Sequence, residues 1–450
     1  MNGELTCGPL KKALIFFALP LFLSQLFQTL YNTADTVIIG YTLGSTSLAA
    51  VGSVAALFEL IVGFCTGFSQ GLAIIGAQKF GAGDLKGFRR ALALSIVLSI
   101  LVSMTISILF LFGMESVLRL LQTPPELFDQ ARKYISVITL GLIITMLYNL
   151  AAAFWRAAGD SKTPLVILLI SSVINIALDF QFIVQFHMGV AGTAWATLCA
   201  QLISLILCVI WVIWKKPDLS VHFSDFRFRS SMLSNLLKMG FSMALMSSIV
   251  SCGTLILQTG INPMGTQIIA GHTAARKLIS ILNLPVSSLM MALSSFAAQN
   301  VGAGEYERAE QGIAFSNRLG LYYGITLTVL IFLSSRTLVQ AISGSTDPAV
   351  LDIGSLYLNT NIPFFFILAI LLNLRTSLQS MSMTLIPILS SVIELAGKML
   401  FTFLVVPFTG YYGICAVEPF VWTVMALFLS YFYLRNRLFK SHGITAHIYR

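Results

Sequence analysis

The sequence predicts an all-α integral membrane protein with twelve transmembrane helices in two pseudo-symmetric six-helix lobes. Three observations carry this. Apolar runs of about 20 residues recur from end to end, the length a helix needs to cross a hydrocarbon core. Only 10% of the residues are charged and 57% are hydrophobic, whereas a soluble domain carries about 25% charged residues. Short motifs of the first half also return in the second at a fixed offset. Length alone would suggest two or three soluble domains, but so few charges cannot cover a surface facing water.

Hydropathy puts the spans at 12–38, 47–77, 91–114, 133–156, 163–186, 190–214, 233–259, 266–297, 312–334, 352–376, 384–407 and 411–434. The runs are long and continuous, so they read as helices rather than as the short alternating strands of a barrel. Spans 2 and 8 exceed the bilayer thickness and predict tilt or extension. Lys11 and Lys12 followed by an apolar stretch mimic a signal peptide. The run continues to Gly40 without a small-residue cleavage site, so retention is expected. Basic residues gather in alternate connections: Lys79, Lys86, Arg89 and Arg90; Arg156 and Lys162; Lys215, Lys216, Arg227 and Arg229; Arg308; and Arg435, Arg437 and Lys440. Arg119, Arg132 and Lys133 are the main exceptions on the other side. The basic side is expected to be cytoplasmic, with both termini there.

The repeat is read from GAGDLKGFRRA at Gly81 and GAGEYERAEQG at Gly302, 302 − 81 = 221 residues apart. The same 221 separates Gly189 and Gly192 from Gly410 and Gly413. The lobes are therefore residues 1–214 and 232–450, joined by a polar cytoplasmic linker at 215–231. Six spans per lobe keep both in one membrane orientation. Parallel repeats of this kind place a substrate cavity between two lobes.

Several function classes drop out. The net charge of +9 belongs to the connections and forms no basic groove interleaved with aromatics, so no nucleic-acid partner is expected. The six cysteines form neither a CxxC pair nor a metal spacing and read as small packing residues. GFSQG (Gly67–Gly71) fits the GxSxG pattern, but a nucleophile elbow needs a strand-turn-helix setting. Here Gly63, Gly67 and Gly71 make a small-residue ridge on a membrane helix. GAGD follows no strand, and no GxxxxGK[ST] exists, so neither ATP hydrolysis nor any cofactor is expected.

Of the 18 acidic residues, thirteen fall in loops or at span ends and five lie within spans: Asp35, Glu59, Asp179, Glu394 and Glu418. A charge in the bilayer costs at least about 2.5 kcal/mol, so each needs a reason. Asp35 lies late in span 1, just after Asn32. Asp179 lies in span 5 with Asn175 at i−4, which puts amide and carboxylate on one helix face. Two carboxylates and an amide in one lobe suit a shared proton or a small cation. Glu394 stands four residues before Lys398, the favourable order for a helical ion pair, and reads first as structural and second as a cavity residue. Glu59 and Glu418 read as lone acids able to attract cations. His187 and His272 read as span-end residues, and Arg276, Lys277 and Arg375 as snorkelling cations. Pro20 removes a backbone hydrogen bond in span 1 and predicts a kink and a hinge. Met146, Tyr148, Met290 and Phe366 are candidate apolar contacts for a substrate.

These features together resemble bacterial multidrug and toxic compound extrusion (MATE) transporters over essentially the whole chain. The resemblance rests on the twelve spans in two repeats, the ALP…YNTADTVIIG segment, the GAGD and GAGE loops and WRAAGDSKTP after span 4. It implies two six-helix bundles forming a V around a central cavity, and efflux by antiport against H⁺ or Na⁺. It implies a cation site of Asp35, Asn175, Asp179 and Thr197, with Pro20 as the bending proline. Acidic residues that some members carry in spans 7 and 10 are replaced here by Gln258 and Asn373, which favours coupling through the first lobe. The expected protein is a monomer in the bacterial cytoplasmic membrane that moves amphipathic, often cationic small molecules. A flippase for lipid-linked precursors is the alternative. It should need a basic cavity, and the five membrane acids argue against it.

Overall fold

The computed structural model describes residues 5–120, 123–227 and 230–441, apart from the side chains of 120 and 436–441. Arg229 of the linker and the side chains of Arg437 and Lys440 therefore lie outside the described residues. So do the ends of the chain, on which the expected placement of both termini bears. The described residues form helices and no strands. Among the described residues, eleven helices are long and apolar enough to cross a membrane. A bent pair, Pro125–Leu140 and Leu142–Ala157, turns by 51° at Gly141 and makes a twelfth span.

In chain order, span 1 is Leu10–Ser53, span 2 Ala55–Gly81, span 3 Leu85–Leu120, span 4 the bent pair, span 5 Lys162–Phe180 and span 6 Val190–Lys215. Span 7 is Ser230–Ile261, and span 8 comprises Thr266–Leu282 and Leu284–Ala303. Span 9 is Tyr306–Ser343, and span 10 comprises Pro348–Asn361 and Phe365–Ser380. Span 11 is Leu385–Leu400, and span 12 is Tyr411–Ser441. Several run well past the hydropathy limits, because an apolar core sets only the minimum length and helices continue where their ends meet water. Asp347 caps span 10 by accepting the Ala349 N–H at 3.0 Å, and Pro348 holds the first helical position.

The chain divides into two compact units, Met1–Ser248 with Ala298–Glu305, and Ile249–Ala297 with Tyr306–Arg450. In the first, span 2 packs on spans 3 and 4, and span 1 packs on span 5. Their core runs through Phe68, Leu72, Phe88 and Phe154, with the Phe88 and Phe154 rings edge-to-face at 5.5 Å. Gly67 and Gly71 receive the backbone of span 7 at Met243 and Met239, whereas Gly63 faces open space. The small-residue ridge is thus two glycines, not three. In the second unit, span 9 packs on span 10, and span 12 on spans 10 and 11.

Span 1 stays helical through Pro20, where the Ser24 hydroxyl donates to the Pro20 carbonyl at 2.8 Å. Its one non-helical residue is Gly44, at φ 83° and ψ 178°, a conformation open essentially to glycine alone. The repeat reappears here at backbone level. Gly265, at 265 − 44 = 221 residues on, has φ 100° and ψ 163°. Gly83 and Gly304 form a second pair (φ 72° and 80°) and Gly189 and Gly410 a third (φ 60° and 61°), each with the same spacing. Each half also ends its fifth helix in a π-helical turn, Gln181–Gln185 and Phe401–Val405.

The two motif loops meet within the first unit. A side chain on Gly81 would strike the Gln299 carbonyl, and one on Gly302 would strike the Gln78 carbonyl. The contact is reciprocal, and both members are backbone, so the helices must part to admit a methyl group. Gly81→Ala and Gly302→Ala are each expected to destabilise by about 1–3 kcal/mol. A melting midpoint of either purified variant equal to that of the unsubstituted protein would refute the contact.

The linker is anchored rather than loose. Buried Asp225 accepts the His222 N–H at 3.0 Å and pairs with Arg89 of span 3 at 3.3 Å. Arg89 also donates to the Asp218 carbonyl at 2.8 Å.

Candidate functional site

A cavity of about 390 Å³ opens within the first unit, in the size range of small-ligand pockets. Span 1 contributes Gln28, Tyr31, Asn32 and Asp35, and span 2 contributes Phe58 and Glu59. Span 4 adds Tyr134, Thr145, Tyr148 and Asn149, span 5 Ser171 and Asn175, and span 6 Thr193, Thr197, Gln201 and Ser204. The polar wall is made of carboxyl, amide and hydroxyl groups, and no Lys or Arg lines it. Glu59 and Asn32 are exposed, Asp35 half-buried, and Asp179 completely buried at 0% exposure.

Asp179 does not itself line the cavity. It stands behind Asp35, close enough for the two carboxyl groups to interact electrostatically. The helix brings Asn175 to the same face one turn earlier, and the π turn begins two residues after Asp179. Such turns often accompany functional sites. No protein donor reaches Asp35 Oδ1 or either Asp179 oxygen, and the Asn175 amide is likewise unpartnered. Buried polar atoms are normally satisfied, so this group of oxygens is suited to hold a cation or a proton. Thr197 lines the same cavity. The structure thus brings Asp35, Asn175, Asp179 and Thr197 into one neighbourhood, with Asn32, Glu59 and Tyr148 around it.

Other candidate residues lie elsewhere. Met146 is fully buried in the packed core, and its carbonyl accepts the Ser69 hydroxyl at 3.4 Å. It does not line the cavity, because its helix face turns to span 2. Met290 and Phe366 belong to the second unit and are half-buried, and the Phe366 backbone packs close to Gly324.

Glu394 is not one half of a simple pair. Lys398 donates to Glu394 at 2.9 Å and also stands 3.3 Å from Glu418. Arg375 lies 3.7 Å from Glu394 and donates to Ser390 at 3.2 Å. Arg276 lies 3.7 Å from Glu418. The result is an alternating chain, Arg375–Glu394–Lys398–Glu418–Arg276, drawn from spans 10, 11, 12 and 8. Glu418 is therefore not a lone acid, and Arg375, buried against Glu394, does not snorkel. Arg276 pairs with Glu418 while its side chain stays 35% exposed. His272 is buried beside this chain, with Nδ1 3.1 Å from the Tyr411 hydroxyl, and is not a span-end residue.

The MatE family model matches the chain twice, over residues 20–181 and 242–404. The chain is 28% identical over 364 residues to the probable multidrug resistance protein YpnP of Bacillus subtilis, spanning 81% of this chain and 80% of that protein. It is 25% identical over 390 residues to the probable multidrug resistance protein NorM of Thermotoga maritima, spanning 86% and 83%. A crystal structure of a MATE in the bent conformation superposes with a TM-score of 0.90 over 98% of both chains, at 22% identity. At that identity the likeness speaks to the fold.

Proposed function

The chain belongs to the MatE family, and on that premise we propose that it exports amphipathic, often cationic small molecules across the cytoplasmic membrane by antiport against H⁺ or Na⁺. The observation that carries this reading is the cavity with Asp35 in its wall, Asp179 behind it and no Lys or Arg around it. Carboxylates at membrane depth are costly unless a proton or a cation neutralises them. Interacting this closely, the two titrate as a pair rather than singly. Asn175 and Thr197 complete the oxygen shell. Aromatic walls from Tyr31, Phe58, Tyr134 and Tyr148 suit a flat, partly apolar substrate, and exposed Glu59 favours a positive one. An anionic lipid-linked precursor finds no matching charge in this cavity.

A coupling ion drives alternation only if it binds one conformation better than the other. Loading cancels charge at Asp35 and lets span 1 repack, bending near Pro20, and unloading reverses the change. The reading is tested by efflux in proteoliposomes with pH and Na⁺ gradients imposed separately. One of the two gradients is expected to drive export of organic cations in the absence of ATP. Export that responds to neither would overturn it.

A further inference from the structure

The second half holds, at the positions equivalent to the cation site, a different set of residues. The buried faces of the two fifth helices of the repeat coincide at an offset of 387 − 164 = 223. Pro164, Ser171, Asn175 and Asp179 are buried on one, and Pro387, Glu394, Lys398 and Thr402 on the other. The two residues beyond 221 are absorbed before the next repeat pair, since Gly189 and Gly410 restore 221. At that spacing Thr197 corresponds to Glu418, Asn32 to Gly253 and Asp35 to Ile256.

The substitutions fit one another. Where span 1 carries an amide, Gly253 leaves room for the lysine stem, since a Cβ there would lie 2.9 Å from Lys398 Cδ. Where the first half has Asp35, Ile256 removes a charge. Lys398 Nζ instead sits between Glu394 at 2.9 Å and Glu418 at 3.3 Å, only 2% exposed. One turn on, the hydroxyl of Thr402 is buried with no partner, as the Asp179 oxygens are in the first half.

We propose that the second half carries a self-liganded counterpart of the cation site, in which the tethered ammonium of Lys398 stands where the first half takes its exchangeable cation. The correspondence between the two sites rests on the proposed reading of the first-half site, while the second-half chemistry stands independently. The fixed ammonium leaves one exchangeable site per chain. Cutting the tether should turn the second half into a site for a small ammonium ion.

The test is the melting midpoint of the purified full chain as Lys398→Ala, in methylammonium chloride or in choline chloride at matched ionic strength. The variant should melt below the unsubstituted protein in choline, and methylammonium should recover at least half of the loss. Choline lacks N–H donors and should recover none, and the unsubstituted protein should respond to neither. Lys398→Ala combined with Glu418→Gln removes one of the two carboxylates and should lose the methylammonium response. Equal midpoints of Lys398→Ala in the two salts, or an equal response of the unsubstituted protein, would overturn the proposal. So would failure of Lys398→Ala to fold in methylammonium while the double variant folds. If neither folds, the lysine stem rather than its charge is what the position needs, and the proposal also falls. The readout is stability rather than transport, so it stands or falls separately from Asp35.

Discussion

Reconstituted Asp35→Asn protein is expected to show no gradient-driven export above the protein-free background, while melting no lower than the unsubstituted protein. The two halves of this expectation share one cause. Asp35 and Asp179 interact electrostatically, so ionising both sets two like charges together in a poorly solvated place. An amide at position 35 keeps the shape of the protonated carboxyl and cannot ionise. That relieves repulsion, which costs no stability, and it removes the charge a coupling ion would cancel. Moving a two-state equilibrium from 1:99 to 99:1 takes about 5.5 kcal/mol of differential binding. Of the two aspartates, Asp35 is the one that lines the cavity, and the other carboxylate in its wall, Glu59, is exposed on span 2. Asp179→Asn should keep partial export with an altered dependence on pH or Na⁺, because Asp35 remains to bind the ion. Efflux measured at matched expression decides. Full gradient-driven export by Asp35→Asn would remove Asp35 from the mechanism.

What was legible beforehand follows from the range of the interactions involved. A span is a local property of about 20 residues, so hydropathy finds it without knowing its neighbours. The Asn175–Asp179 face is equally local, set by helix periodicity alone. The repeat was visible at Gly81 and Gly302 because the motif letters recur, but around Gly44 and Gly265 few letters recur, and the shared backbone conformation shows only in the structure. Pairing across spans is another matter. Arg276 and Glu418 are 418 − 276 = 142 residues apart, and nothing within span 8 or span 12 names the partner. Considered alone, a membrane arginine is best explained by snorkelling, and only the packing of four helices replaces that reading for Arg375. Met146 illustrates the same limit. Its helix carries both cavity and core residues, and Tyr148 two positions on faces the cavity while Met146 faces span 2. Pro20 is intermediate. Its missing N–H is certain from the sequence, yet the residue that breaks helical geometry in span 1 is Gly44.

Glu394→Gln separates the two charged sites by their opposite thermodynamics. Considered only as a partner of Lys398, Glu394 would be a modest contributor, because helical i,i+4 pairs are worth about 0.3–0.5 kcal/mol when exposed. The pair is buried, and Glu394 also neutralises Arg375. An amide there leaves the Arg375 guanidinium without a counter-ion and Lys398 with Glu418 alone. The group then holds three cations against one carboxylate. Removing one partner of a buried ion pair costs about 3–5 kcal/mol, since the other charge stays desolvated and uncompensated. The variant is therefore expected to melt well below the unsubstituted protein in detergent, and to show lower export in proportion to the folded fraction. Asp35→Asn should show the reverse, intact stability with lost transport. Restoring the balance by combining Glu394→Gln with Arg375→Gln should recover part of the lost stability, because it removes the cation left stranded. A melting midpoint for Glu394→Gln equal to that of the unsubstituted protein would mean that the network is solvated in the membrane. The alternating chain would then be a set of weak surface pairs rather than the electrostatic core of the second half.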